Sequence, residues 1–276
     1  MFVCCCVPSA PVVLTLTNHL SIRGPIEAST ATTFVHDSQL HHSTVRYVYI
    51  HSPGGSVSAG EQMVEEMRQR NYTCIADMAY SMAFSLFQAC SRRYVRPSAS
   101  LMQHSISLTN VGGGELGKVL ARLQHIERTR QRLDTMQAQR LKLTEAQFVE
   151  RTHNEWWLDA QEAVDNHCAD GIVRSLTCSP KLLKSTVART DTRVAGIFAT
   201  AVVNEYSSCP LVHEPLRVLA SASAPVIGNN GSCICPDKSD SHVHRAHLRG
   251  TLLDTVVNAI QSVPRVGGNL DLVGKI

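Results

Sequence analysis

The chain has 276 residues, 43% of them hydrophobic and 18% charged, which is enough to bury a sizeable core in one domain with a smaller appendage and excludes a disordered chain. The net charge of +3, spread without clustering, gives no electrostatic basis for binding nucleic acid or an anionic membrane surface. Neither partner is expected.

The ten cysteines are scattered, with Cys4, Cys5 and Cys6 adjacent and Cys74, Cys90 and Cys168 inside apolar segments. There a thiol behaves as a small hydrophobe, so the expectation is a set of separate thiols in a reducing, cytoplasmic setting, with an organelle left open, and not a secreted disulfide framework. The opening MFVCCCVPSAPVVLTL has no basic leader region and is broken by Pro8 and Pro11, so residues 1–13 are expected to be a frayed terminus, neither signal peptide nor membrane span. The three adjacent cysteines are also acceptors for acylation.

In chain order, Leu14 to Ile22 is a candidate strand, Ala28 to His41 has helical spacing, and RYVYIHS (Arg46 to Ser52) is a β-branched and aromatic run stopped by Pro53-Gly54-Gly55. Gly60 to Arg70 reads as a helix with Met63, Val64 and Met67 on one face. YTCIADMA is the next strand, Ser81 to Ala89 the next helix, and RRYVRPSASLMQHS holds two short strands around Pro97. This βαβα alternation predicts an α/β fold with a mostly parallel sheet, in which ligands sit at the carboxyl ends of strands. Both PGGS and AYSM lie at such ends. Glu115 to about Arg140 has apolar residues at helical spacing on an otherwise charged surface, the pattern of a projecting helix that buries one stripe. Thr144 and Asp159 each open a capping-box pattern, which gives Asp159 a structural task.

Ser81 stands between a strand and an apolar helix, where backbone N–H groups and the positive helix end favour developing negative charge. His104 follows a short strand and supplies a base, and the side-chain-free amides of Gly54-Gly55 can approach a substrate closely. The alternative from pattern alone is an N-cap serine beside an ordinary surface histidine.

At these residues the chain resembles the ClpP family of serine peptidases. YVYIHSPGGSVSAGEQMVEEM is similar to the family's strand, N-S-P-G-G and helix; ADMAYSMAFSLFQACSRRYVRPSASLMQHS is similar to its nucleophile segment and the R-x-x-x-P-x-x-x-x-M-x-H that follows. WWLDAQEAVDNHCADGIV resembles the closing pattern L-[ST]-A-x-E-A-x-x-x-G-L-[VA]-D, and LSIRGPIEASTAT the first strand and turn. The resemblance covers residues 14–176 and implies a ClpP/crotonase-like spiral of βαβ units with a projecting handle helix.

By position it implies Ser81 as nucleophile, His104 as general base, and the amides of Gly55 and Met82 as oxyanion hole. Gly54, with Gly112 and Gly113 in the run before the handle, is implied in substrate binding. The third member of the triad falls on Glu155 where the family has aspartate, with Asn154 beside it. Other departures are Tyr80 before the nucleophile, Ala83-Phe84-Ser85 after Met82, and His167 in place of the closing glycine.

The implied activity is endopeptidase cleavage of unfolded proteins or short peptides in a homo-oligomeric ring, without a cofactor. A AAA+ unfoldase is the family's partner, although only about 13 residues precede the first strand, with no clear counterpart of the axial loops. Tyr80, Glu155 and His167 leave open a second reading, a ring or scaffold subunit that assembles without cleaving. A third, a crotonase-like acyl-CoA enzyme of similar spiral, does not need the Ser81 and His104 pair.

Residues 177–276 lie beyond the resemblance and form an extension of unknown fold. Cys233, Cys235, His242, His244 and His247, with Cys209 or His213, have the residue types for zinc, but their spacing fits no structural site and no metal is expected.

Overall fold

The computed structural model describes residues 11–41, 43–106, 115–195 and 198–225. The chain divides into two compact units, residues 1–181 and 182–276.

The first unit opens with β1 (Val12–Leu14) and β2 (His19–Arg23). The single strand expected over Leu14 to Ile22 is broken by a turn, in which Asn18 Oδ1 accepts from the Thr15 amide at 2.7 Å and the Asn18 amide donates to Thr15 Oγ1. Then come α1 (Ala28–Leu40), β3 (Tyr47–Ser52), α2 (Val57–Gln69), β4 (Thr73–Tyr80), α3 (Met82–Ala89) and β5 (Arg92–Gln103). After these lie α4 (Leu116–Leu141), α5 (Glu145–Thr152), β6 (Trp156–Asp159), α6 (Ala160–Asp165), β7 (Gly171–Ile172) and β8 (Leu176–Cys178). This is the α/β spiral of βαβ units: β2, β3, β4 and β5 are parallel neighbours in one sheet, β6 runs antiparallel to β5, and β7 pairs with β5. β1 and β8 form a separate parallel pair.

The central strands are apolar because both faces are covered. Val48, Tyr49 and Ile50 of β3 are fully buried, and Met63, Val64 and Met67 of α2 enter the same core as Ala83, Phe84, Leu86 and Phe87 of α3. Ser56 caps α2 by accepting from the Ala59 amide, so that helix begins before Gly60. Both capping boxes form, Thr144 with Gln147 and Asp159 with Glu162. Where two short strands around Pro97 were expected, β5 is a single strand. Its register with β4 shifts between the pairs Ala76–Val95 and Met78–Ser100, so Pro97 sits where the ladder does not need its missing N–H.

Cys74 and Cys90, expected as separate thiols, are joined in a disulfide with Cα atoms 6.0 Å apart. The reason is topological: α3 turns back along β4 after Ser81, so the helix end returns to the strand's beginning. Cys168 is a free thiol, and burial pushes its pKa up to about 12.

The first turns of α4 are exposed, with Leu116 and Leu120 facing solvent, whereas Thr129, Leu133, Gln137, Ala138 and Leu141 are buried. The projecting helix is therefore anchored by its carboxyl half. Among the described residues no helix is long and apolar enough to cross a membrane.

After α7 (Pro180–Lys184), the second unit contains β9 (Thr186–Ala195), β10 (Phe198–Ser207) and β11 (Arg217–Pro225), an antiparallel sheet with β10 in the middle. The residue types considered for zinc at 233–247 lie outside the described residues.

Candidate active site

The site is built where β4 and β5 end side by side. Tyr80 pairs with Met102 in the parallel register, so Ser81, one residue beyond β4's end, and His104, one residue beyond β5's end, emerge at the same edge of the sheet. Ser81 turns the chain from β4 into α3 with φ 54° and ψ −120°, in the left-handed half of the map that residues other than glycine seldom occupy. Its amide donates to the Met102 carbonyl at 2.8 Å, which fixes the turn against β5.

Although Ser81 is the N-cap residue of α3, its hydroxyl makes no capping bond. Instead Oγ hydrogen-bonds to Nε2 of half-buried His104 at 2.8 Å. The pattern-only alternative, a capping serine and an unrelated histidine, does not describe this geometry.

Gly54 and Gly55 carry positive φ, 91° and 147°. A Cβ on Gly54 would stand 2.5 Å from the Tyr80 carbonyl oxygen and 2.8 Å from Ser81 Cβ, so only glycine lets this loop press against the Ser81 turn. Ile26 forms a parallel bridge with Gly55: the Ile26 amide donates to the Gly54 carbonyl, and the Ser56 amide to the Ile26 carbonyl. This pattern uses the groups on either side of Gly55, leaving its own N–H outside that ladder. The Met82 N–H, at the first position of α3, is likewise one of the donors that a helix start leaves unpaired within the helix. Gly55, Ser81, Met82 and His104 line a cleft of about 110 Å³ together with Leu133 and Gln137 of α4.

Glu155 is exposed. Its carboxylate accepts from Trp157 Nε1 at 3.0 Å, and no hydrogen bond joins it to His104. The antiparallel register of β5 and β6 ends at Gln103–Trp156, and beyond it the Ser105 amide donates to the Thr152 carbonyl at 3.0 Å. Asn154 is exposed beside Glu155, and Asp159 accepts from the Glu162 amide as the α6 cap. Tyr80 meets Trp157 edge-on, with ring centroids 5.0 Å apart. His167 adopts φ 59°, the conformation for which glycine is the usual residue. Gly112 and Gly113 lie outside the described residues.

Three polar residues not anticipated from sequence sit behind the pair. Gln103, Gln137 and Ser85 are buried and joined through Gln103 Nε2, which donates to Gln137 Oε1 at 2.6 Å and to Ser85 Oγ at 3.2 Å. The available signal was a glutamine inside the apolar strand LMQH, where a buried amide needs partners.

The family model described as Clp protease matches residues 13–175. The chain is similar to the ATP-dependent Clp protease proteolytic subunit of Streptococcus equi subsp. equi (strain 4047), 27% identical over 166 residues that cover 56% of this chain and 84% of that protein. The protein of the same name from Streptococcus pyogenes serotype M1 is 26% identical over 166 residues, with the same coverage. The chain belongs to the Clp protease family.

Proposed function

We propose that this chain is a serine peptidase acting as a Clp-type proteolytic subunit, with residues 14–176 as the peptidase domain and 177–276 as an extension to it. The observation that carries the reading is the 2.8 Å contact between Ser81 Oγ and His104 Nε2 at a strained strand-to-helix turn. His104 takes the Ser81 proton as Oγ attacks the peptide carbonyl. The Gly55 and Met82 amides hold the resulting oxyanion, and Gly54 keeps their loop against the nucleophile. His104 then protonates the leaving amine, and water attacks the acyl-enzyme by the same route in reverse.

Glu155 is the proposed third member. Released from Trp157, its carboxylate would accept from Nδ1–H of His104, holding the ring and stabilising the imidazolium. The family relationship supports a ring of identical subunits, unfolded chains or short peptides as substrates, and a AAA+ unfoldase as partner.

A second reading keeps the fold and assembly without turnover, and the observation favouring it is the engagement of Glu155 with Trp157. The two are separated by incubating the full-length protein, sized by light scattering, with casein and with short fluorogenic peptides. Cleavage that disappears in Ser81→Ala supports the peptidase. An assembled wild type that matches Ser81→Ala on every substrate supports the scaffold.

A further inference from the structure

The bonds behind His104 form a chain with a fixed direction. The His104 backbone N–H can only donate, and it donates to Gln103 Oε1 at 3.2 Å. This orients the Gln103 amide so that Nε2 faces α4 and donates to Gln137 Oε1 at 2.6 Å. Gln137 is thereby oriented in turn, and its Nε2 donates to the Leu133 carbonyl at 3.1 Å, which can only accept. A donor at one end and an acceptor at the other leave neither amide free to flip without opposing two like groups. Gln103 is 5% and Gln137 1% exposed, so water does not compete for these bonds.

The same chain passes through the site. Gln103 also bonds Ser85, one turn into the helix that Ser81 begins, and both glutamines line the cleft beside Ser81 and His104. The base is thus tied to the nucleophile's helix and to the anchored half of the projecting helix through a single side chain.

We propose that Gln103 and Gln137 are positioning residues that hold the His104 backbone where its Nε2 reaches Ser81 Oγ. This rests on the reading of Ser81 and His104 as the reactive pair. Neither glutamine touches the reacting atoms; their effect is to hold the His104 backbone where Nε2 reaches Oγ.

The test uses the full-length protein and a fluorophosphonate probe, separating the maximal labelling rate from the probe concentration for half-maximal rate. Gln103→Met and Gln137→Met keep approximate volume while removing the bond. Each is expected to lower the maximal rate about tenfold with the half-maximal concentration within about twofold, the signature of a displaced base rather than a damaged cleft. The double variant is expected to be no worse than the poorer single one, because both remove the same link. Gln137→Leu also removes the acceptor for Gln103 and is expected to show the same loss of about tenfold; it keeps the test decisive where the methionine variant does not fold.

A normal maximal rate in folded Gln137→Met or Gln137→Leu, or additive losses in the double variant, overturns the proposal while leaving the reactive pair intact. Absence of labelling in the wild type overturns the pair itself, and the positioning role with it.

Discussion

The two sides of the His104 imidazole are built differently. On the Nε2 side the geometry is set by backbone: a left-handed Ser81, a Gly54 with no room for a Cβ, and a Ser81 amide bonded to β5. On the far side, the expected partner is a single exposed glutamate whose carboxylate has taken a tryptophan N–H instead. Buried backbone leaves one solution, whereas an exposed carboxylate chooses among rotamers separated by little energy. Ser81 and His104 are therefore placed by the fold, whereas the position of the Glu155 carboxylate depends on a rotamer.

The largest effects should come from the backbone-defined side. Ser81→Ala and His104→Ala are expected to lower fluorophosphonate labelling at least about 10³-fold with the circular dichroism spectrum unchanged. A next step down is Gly54→Ala, which forces the loop off the nucleophile turn. A displacement of this kind is expected to reduce labelling about 100-fold. Normal labelling in that variant would show that the close approach of the two loops is dispensable.

The other side should respond more weakly. Glu155→Ala is expected to lose about tenfold in labelling rate, less than a pre-formed triad carboxylate would, because the resting side chain is already turned away. Glu155→Asp restores the family's residue type and is expected to retain more labelling than Glu155→Ala. Equal rates for wild type and Glu155→Ala would remove Glu155 from the machinery and leave a dyad.

Two smaller expectations concern the frame around the site. The Cys74–Cys90 disulfide closes a segment with a sequence separation of 16 that carries Ser81 near its middle. Replacing both cysteines with alanine is expected to lower stability by about 3 kcal/mol while labelling of the folded protein persists. A parallel loss of labelling would mean that the cross-link also positions the nucleophile.

Asp170 supplies a pH-dependent term. Burial acts to raise its pKa, but the hydrogen bonds and charge of Arg93, with Arg140 adding, outweigh burial and hold it below the ordinary carboxylate range. Its contribution is therefore full above the unfolded value of about 3.9 and is lost as pH falls through the lower folded value. The melting-temperature gap between wild type and Asp170→Asn should accordingly close below about pH 3.9.

What was legible in the sequence follows from how local the cause is. Ser81, His104, the glycine pair and both capping boxes announce themselves through neighbours within a few residues, and the strand ends place them together once the sheet is parallel. Pro97 misled because its local rule, strand breaking, was overridden by a register shift that needed no N–H there. Gln103 with Gln137, and Cys74 with Cys90, depend on partners brought close only by packing. Glu155 shows a further limit: nothing in the chain's pattern says which way its side chain turns, and its carboxylate bonds Trp157.

The most direct measurement of the central claim is mass-spectrometric mapping of the fluorophosphonate adduct on the full-length protein. An adduct on Ser81 that disappears in His104→Ala is the predicted result. No adduct on a folded, assembled wild type, or an adduct on Ser81 that survives His104→Ala at the wild-type rate, would contradict the account.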